Sequence, residues 1–297
     1  MHLLQLHGAD SFSLVEYFGD SLPEYAILLH TWGQNGDEVT YQDLLNNTAR
    51  EKKGYDKLVF CGKQASLDNL QHFWIDTCCI NKQSSAELSE AINSMFRWYQ
   101  KASRCYVYLS DVLLQCQDSV ENGQGYWKQA FRNSRWFTRM WTLQELLAPR
   151  AVEFFSANHK WLGNRERLLE EIVGITGIPA GVLREQHTIF DFDINERMAW
   201  ASNREAKREE DYAYSLLGIC DVSMPLVYGE GRQKAFKRLR RAIRESGEDE
   251  SGNSYRHSIH PSAKKGTQFT AYGGTQYNNT GSGIQLSGDF TGPINLR

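Results

Sequence analysis

Short, uninterrupted apolar runs alternate with segments of helical periodicity along the first half of the chain. The run Tyr25–His30 leads into a glycine turn, and Phe73–Ile80, Arg104–Ser110 and Ala151–Phe155 are further runs of the kind that form buried strands. Between the second and third runs, apolar residues over Glu87–Tyr99 repeat with the spacing of a helix face. Strands that alternate with helices predict an α/β fold, with a parallel sheet flanked by helices on both faces.

The second half of the chain has a different pattern. Helical periodicity takes over after about residue 160, in Ile194–Ser202, Glu209–Gly218 and Arg232–Ile243. After Ser246 the chain is rich in Gly, Ser, Thr, Asn and Gln, and such a segment cannot bury enough apolar surface to form a core of its own. We therefore expect an α/β core over residues 1–160, a helical part over 161–245, a linker over 246–265, and a tail over 266–297 that is disordered in the monomer.

The tail repeats one short phrase. Gly266–Phe269, Gly274–Tyr277 and Gly283–Leu286 each place a glycine before a glutamine and one apolar or aromatic residue. Uncharged segments of this kind stack as cross-β rungs, because their amides form ladders and like side chains align. Composition leaves two interpretations open, a flexible low-complexity segment and a segment for self-assembly. The repeat favours self-assembly, through residues 266–294.

Charge and hydropathy exclude several classes of function. The net charge is −3, so the chain as a whole offers no basic surface for nucleic acid. No segment reaches the roughly 18 consecutive apolar residues of a membrane span. The cysteines have no paired C-x-x-C spacing, and free thiols are typical of a reducing compartment. We expect a soluble, cytoplasmic protein.

A carboxylate stands among tryptophans and arginines in the segment Ser134–Pro149, which reads as one helix. In a helix, Glu145 lies about one turn after Trp141 and shares its face. Two interpretations follow. Glu145 pairs with Arg135 or Arg139 on an ordinary amphipathic helix, or it is a catalytic acid in an aromatic pocket.

The carboxyl ends of strands in an open α/β sheet line the ligand crevice, so the segments that follow the first three strands should converge there. A dinucleotide needs aromatic stacking surfaces, cations for its pyrophosphate and a carboxylate near a ribose. No Gly-x-Gly-x-x-Gly or P-loop motif is present, so any nucleotide is bound in another way. The candidate binding residues are His30, Trp32, Gly33, Asp76, Asn81, Lys82, Arg135, Trp136 and Trp141, and the candidate catalytic residue is Glu145.

Metal chemistry is not expected. His30 stands alone, and His257 and His260 in the tail lack a third ligand for zinc. We therefore predict no metal site and no resident cofactor.

Three ordered blocks of the sequence resemble the signature blocks of the fungal HET (heterokaryon incompatibility) domain. The blocks are Tyr25–Gly33, Phe73–Lys82 and Arg135–Pro149, and Arg208–Ile219 and Tyr228–Gly231 resemble the helical region of that family. The resemblance spans residues 1 to about 245. Two positions depart from the usual pattern, since Leu29 stands where serine is usual and Asn81 where aspartate is frequent.

The resemblance implies a fold and an activity. HET domains are similar in strand order to Toll/interleukin-1 receptor (TIR) domains, several of which hydrolyse NAD, and this implies a TIR-like sheet. In plant-type TIR domains a helix that reads W-C-L-x-E-L carries the catalytic glutamate, and Trp141–Leu146 resembles it. By this analogy Glu145 is the catalytic residue of an NAD glycohydrolase, with NAD as substrate.

The tail resembles the σ-type amyloid signalling motif of fungal cell-death systems. That motif is carried both by a NOD-like receptor and by its effector, so the resemblance implies an effector that a receptor with a matching motif activates by amyloid templating. Two hypotheses for the effector remain, ahead of a third, a nuclease or nucleotide-processing activity. It hydrolyses NAD, or it is a non-enzymatic clustering module that recruits another executor of cell death.

Overall fold

The computed structural model describes residues 1–8, 10–19, 21–115 and 127–247, together with the backbone of three short strands between residues 268 and 287. The chain divides into two compact units, Met1–Ser254 and Tyr255–Arg297. Each unit contains a sheet of its own.

A seven-stranded sheet forms the centre of the first unit, in the order β2-β1-β4-β3-β5-β6-β7. Its strands are β1 (His2–Gly8), β2 (Ser11–Glu16), β3 (Tyr25–His30), β4 (His72–Trp74), β5 (Arg104–Leu109), β6 (Val152–Ser156) and β7 (Trp161–Asn164). The four central strands, β4, β3, β5 and β6, pair in parallel, while β1, β2 and β7 pair antiparallel. Every residue of β3 is buried, as expected of a strand covered on both faces.

The order of the parallel strands creates a topological switch point. Along the chain, β3 is followed by β4 on one side, and the chain then crosses back to place β5 on the other side of β3. Open α/β sheets bind ligands at the carboxyl ends of strands at such a point. In this sheet it lies after His30 of β3 and Leu109 of β5, where Thr31 and Ser110 place their hydroxyl oxygens 3.5 Å apart.

Helices cover the sheet. The α-helices are α1 (Tyr41–Leu45), α2 (Tyr55–Leu67), α3 (Ser85–Lys101), α4 (Trp127–Arg132), α5 (Thr142–Leu147), α6 (Leu169–Thr176), α7 (Ala180–Leu183), α8 (Ile194–Ala199), α9 (Asp211–Tyr214) and α10 (Arg232–Glu245), and Ala49–Glu51, Arg135–Thr138 and Ile189–Asp191 form 3-10 turns. Helix α2 packs on β3, β4 and β5, whereas α5 packs on β3 and on α3. Among the described helices, none combines the length and the apolar character needed to cross a bilayer.

The structure confirms the predicted α/β fold class and the predicted run Tyr25–His30, and it corrects several boundaries. The second predicted strand ends early, at Trp74, because residues 75–80 turn and begin the approach to α3. Helix α3 begins after its N-cap Ser84, whose side chain accepts a hydrogen bond from the Glu87 amide. The antiparallel strands β1, β2 and β7 were not predicted, since polar residues and glycine interrupt their short apolar patterns.

The prediction of a single helix over Ser134–Pro149 is wrong, because the segment is divided in two. It is a 3-10 turn, Arg135–Thr138, followed by the short helix α5. The break occurs because the chain at residues 138–140 pairs with Glu205, whose amide binds the Thr138 carbonyl at 2.6 Å and whose carbonyl binds the Met140 amide at 2.9 Å. A distant segment therefore takes the backbone groups that would continue the helix.

Buried polar contacts tie the helical part together. Glu210 accepts hydrogen bonds from the Gly229 and Gly231 amides at 2.8 and 2.9 Å. The Tyr228 hydroxyl donates to Asp211 at 2.9 Å, and the Tyr214 hydroxyl donates to Glu230 at 3.0 Å. These contacts fix the loop before α10 onto α9.

The second unit contains an antiparallel three-stranded sheet in the order β10-β9-β8. Its strands are β8 (Gln268–Thr270), β9 (Gln276–Asn279) and β10 (Ile284–Ser287). The register pairs Phe269 with Tyr277, and Tyr277 with Leu286, so the apolar position of each repeated phrase occupies one row across the strands. The linker predicted over 246–265 lies outside the described residues except for its first two positions.

Gly218 marks the tightest packing between the helical part and α3. A Cβ atom at this position would lie 2.1 Å from Cβ of the buried Phe96, far inside van der Waals contact. We predict that Gly218→Ala lowers the free energy of unfolding by about 1–3 kcal/mol, the usual effect of overpacking. The matched control is Gly174→Ala in α6, where a Cβ meets nothing within 4 Å and alanine favours the helix. Thermal unfolding of both variants measures the difference, and equal melting temperatures would contradict this packing.

Candidate functional site

Asp76 is the polar centre of the carboxyl edge of the sheet. It lies in the turn after β4, and its two carboxylate oxygens have different partners. Oδ1 lies 3.2 Å from His30 Nε2, and Oδ2 accepts a hydrogen bond of 2.9 Å from the Trp32 indole nitrogen. Lys82 Nζ lies 3.9 Å from the same Oδ2. The structure therefore brings four predicted site residues together at the ends of β3 and β4.

Two residues that the sequence did not predict complete this cluster. The Lys57 ammonium contacts His30 Nδ1 at 3.0 Å and the Glu38 carboxylate at 2.5 Å. Because an ammonium group can only donate, His30 Nδ1 must accept, and the ring proton is on Nε2, where it is donated to Asp76. Lys57 thus sets the tautomer of His30. Glu38 also accepts a hydrogen bond of 2.7 Å from the Gly33 amide and fixes the turn after Trp32.

Asp76 is held in its ionised form. Burial opposes ionisation, but the charge of Lys82 and the hydrogen bonds from His30 and Trp32 outweigh it and lower the pKa of Asp76 to about 2. Lys82 lies 3.8 Å above the centre of the Trp32 ring, in a cation–π contact. The Trp32 side chain is 46% exposed, and this is unusual for so large an aromatic group beside a charged cluster.

Glu145 has the opposite electrostatic environment. It is only 8% exposed and lies in the core. Burial, together with the negative charge of Asp76, raises the pKa of Glu145 to about 8 from an ordinary value near 4.5, against the hydrogen bond from Trp136 and the charge of Arg204. The Trp136 indole nitrogen donates to Oε2 at 3.1 Å. Glu145 is therefore mainly protonated at neutral pH, close enough to Asp76 for the two groups to interact electrostatically.

Arg204 holds the Glu145 helix in place. Its guanidinium donates to the Arg139 carbonyl at 3.0 Å and to the Thr142 hydroxyl oxygen at 2.8 Å, at the start of α5. Arg204 is 5% exposed, and burial lowers its pKa to about 10, while the negative charge of Glu145 acts in the opposite direction. A second guanidinium nitrogen, Nη2, is buried and has no hydrogen-bond partner among the residues that the structure describes. This buried cation, which the sequence did not predict, offsets part of the cost of a carboxyl group in the core.

The remaining predicted residues have other partners. Trp136 is 1% exposed, so its ring faces belong to the core and its contribution to the site is the hydrogen bond to Glu145. Trp141 hydrogen-bonds Asp211 in the helical part. Arg135 pairs with Asp111, which follows β5, and its Nε lies 4.0 Å from Asp111 Oδ2. Asn81 accepts from the Gln83 amide at 3.2 Å and shapes the loop before α3.

The helical part supplies one more cation. The positive charge of Arg208 contributes to lowering the pKa of Lys82, after burial as the first cause, so the two side chains lie near each other. Arg208 stacks on the Tyr228 ring at 4.5 Å. Beside it, Lys207 donates to the Asn35 side chain at 2.7 Å and ties this segment to the turn after Trp32. Sequence patterns gave no signal for Arg204, since it acts through contacts with residues more than 60 positions away, whereas Arg208 opens the block Arg208–Ile219 that resembles the HET family.

The arrangement combines an exposed indole, a fixed carboxylate, a protonated carboxyl group and two nearby cations. Two carboxyl groups whose environments push their pKa values apart are a recurrent basis for acid–base chemistry. The cluster is poor in the soft or convergent ligands that hold transition metals, because His30 has both nitrogens engaged.

Comparison with known proteins identifies two regions. Residues 25–119 match the family model of the heterokaryon incompatibility protein (HET), and residues 262–297 match the model of the sigma domain on NACHT-NTPases. The chain is 53% identical over 222 residues to vegetative incompatibility protein HET-E-1 of Podospora anserina. That alignment covers 75% of this chain and 16% of the relative, so the chain spans a small part of the longer protein. No solved structure matches.

The first family match contains β3, β4 and the Asp76 cluster, and the second contains the repeated phrases of the tail. The chain therefore belongs to the HET-domain proteins and carries a sigma domain at its C-terminal end.

Proposed function

We propose that this chain is a cell-death effector of heterokaryon incompatibility whose HET domain hydrolyses NAD through Glu145. The observation that carries the proposal is the electrostatic effect of one carboxyl group on another, an ionised Asp76 at the carboxyl edge of the sheet and a protonated Glu145. That edge, next to the switch point between β3 and β5, is where open α/β folds bind nucleotides.

The chemistry requires stabilisation of positive charge. When the bond between the ribose C1′ and the nicotinamide nitrogen breaks, its electron pair goes to nicotinamide and the ribose becomes oxocarbenium-like. Water then adds to C1′ and releases a proton, which yields ADP-ribose and nicotinamide. Carboxylates next to an anomeric carbon stabilise this kind of transition state. Approach of the cationic substrate favours loss of the Glu145 proton, because an opposite charge stabilises the carboxylate.

Three further side chains suit the aromatic and phosphate groups of the substrate. Trp32 offers an exposed ring for stacking, and Lys82 and Arg208 offer positive charge for a pyrophosphate. Arg204 and Trp136 position Glu145 without contacting the solvent.

Activation is proposed to come from the tail. The match of residues 262–297 to a domain found on NACHT-NTPases supports a partner of that class, a NOD-like receptor with a matching sigma segment. The receptor segment would template residues 266–294 into an amyloid, and the HET domains would then be held at high effective concentration.

A second candidate function is a clustering module without enzymatic activity, which recruits another executor. One observation favours it. Glu145 is 8% exposed and already hydrogen-bonded to Trp136, and this is also the environment of a purely structural carboxyl group.

Glu145→Gln separates the two candidates. Glutamine keeps the shape and can still accept from Trp136, but it cannot carry the negative charge. We predict a loss of at least about 100-fold in NAD cleavage by the assembled chain, together with loss of toxicity, the range seen when a key electrostatic group is removed. Exposed Glu209→Gln is the matched control and should behave as the parent. Mass spectrometry of NAD and its products measures the difference, and unchanged toxicity in Glu145→Gln would favour the clustering module.

The buried carboxyl group also predicts how stability depends on pH. The pKa of Glu145 is about 8 in the folded chain and near 4.5 when unfolded, so between these values the folded state holds a proton that the unfolded state has released. This group therefore makes the free energy of unfolding fall as pH rises, by up to about 1.4 kcal/mol per pH unit. Asp76, with its lowered pKa, acts in the opposite direction and only below about pH 4.

Denaturant unfolding of the parent and of Glu145→Gln between pH 5 and pH 9 tests this. The difference in unfolding free energy between the two should change steadily in favour of the variant as pH rises to about 8. A constant difference would show that Glu145 is ionised throughout.

The proposed role of the tail predicts an effect of added charge. Gln276→Lys/Gln285→Lys would place like charges at roughly 4.8 Å spacing between stacked copies and oppose fibre growth. We expect loss of fibres, seen by thioflavin fluorescence, and loss of cell death, while the first unit stays folded. Gln186→Lys/Gln233→Lys adds the same charge at exposed positions of the first unit and should leave both unchanged. A tail variant that forms fibres and kills like the parent would refute the assembly switch.

A further inference from the structure

Lys82 occupies the face of an exposed tryptophan beside a carboxylate. Its ammonium lies 3.8 Å above the centre of the Trp32 ring and 3.9 Å from Asp76 Oδ2. Neither contact is a hydrogen bond. The Lys82 side chain is 34% exposed, so it reaches this position from the surface and not from the core.

The two groups under the ammonium are rigid. The Trp32 indole nitrogen donates to Asp76 Oδ2 at 2.9 Å, and this fixes the orientation of the ring. Asp76 is held in turn by His30, whose tautomer is set by Lys57. Proteins recognise organic cations with aromatic faces, and a carboxylate held beside such a face adds an opposite charge. The recognition surface is therefore built in advance, and only its occupant is flexible.

Lys82 is the internal occupant of this surface. Its cation–π contact and its ion pair are of the weak, partly solvated kind, and the lysine chain has the freedom to swing away. A flat, delocalised cation would cover the ring better than a compact ammonium, which keeps its hydration more tightly.

We propose that Trp32 and Asp76 form a binding site for a flat organic cation, and that Lys82 fills this site until such a ligand displaces it. Resting on the proposed function, the ligand cation is the pyridinium ring of NAD. The displaced ammonium then becomes available to the negatively charged part of the same ligand. Lys82 thus acts as a competitor in the empty site and as a partner of phosphate in the filled one.

The test uses 1-methylnicotinamide, a pyridinium cation, and nicotinamide, its neutral counterpart, with the full chain in isothermal titration calorimetry. Lys82→Gln removes the competing ammonium, and we expect it to bind 1-methylnicotinamide about fivefold tighter than the parent, the factor that corresponds to a contact of about 1 kcal/mol. Lys53→Gln is the matched control, because it removes the same charge from a side chain that is 82% exposed and pairs with Asp37. It should bind 1-methylnicotinamide like the parent. Trp32→Leu, which removes the aromatic ring at a 46% exposed position, should bind more weakly than the parent.

Nicotinamide should show no gain in Lys82→Gln. Binding of the cation by Lys82→Gln that is undetectable, or no tighter than by Lys53→Gln, would overturn the proposal, and so would an equal gain for nicotinamide. The probe has no ribosyl bond to cleave. Its binding can therefore succeed while NAD hydrolysis fails, or fail while hydrolysis succeeds, and the two proposals are judged separately.

Discussion

Two carboxyl groups, Asp76 and Glu145, have opposite protonation states, with the charge of the first acting on the second, and the architecture of the site follows from this. Asp76 can remain ionised because His30, Trp32 and Lys82 surround it with donors and positive charge. Glu145 lies in the core, where the Trp136 indole donates a hydrogen bond to it and Arg204 is the cation that acts on it. These two groups do not outweigh burial, so Glu145 keeps its proton. The negative charge of Asp76 further disfavours ionisation of Glu145.

The fold produces this pairing through contacts that are distant in sequence. The order of the sheet places the ends of β3 and β4 side by side, and helix α5 packs on β3, where Glu145 is within the electrostatic reach of Asp76. Helix α5 begins where it does because Arg204 and the Glu205 backbone hold residues 138–142. The helical part is therefore a structural component of the site, even though most of its residues lie away from it.

Local sequence patterns predicted the features that depend on residues close together in the sequence. The fully apolar run Tyr25–His30, the helix over Glu87–Tyr99 and the clustering of His30, Trp32 and Asp76 all follow from strand and helix periodicity and from the geometry of parallel sheets. The break in the Glu145 segment and the roles of Lys57 and Arg204 did not follow. Each depends on a partner far along the chain, and helix propensity alone carries no information about that partner.

The central claim is that Glu145 is a protonated carboxyl group that a bound cation can ionise. Carboxyl carbon NMR of the chain labelled with [5-¹³C]glutamate tests it directly, with Glu145→Gln to assign the signal. We expect one glutamate resonance that titrates near pH 8 and moves toward the ionised position at pH 7 when NAD is added. A Glu145 resonance that titrates near its ordinary value of 4.5 and ignores NAD would contradict it.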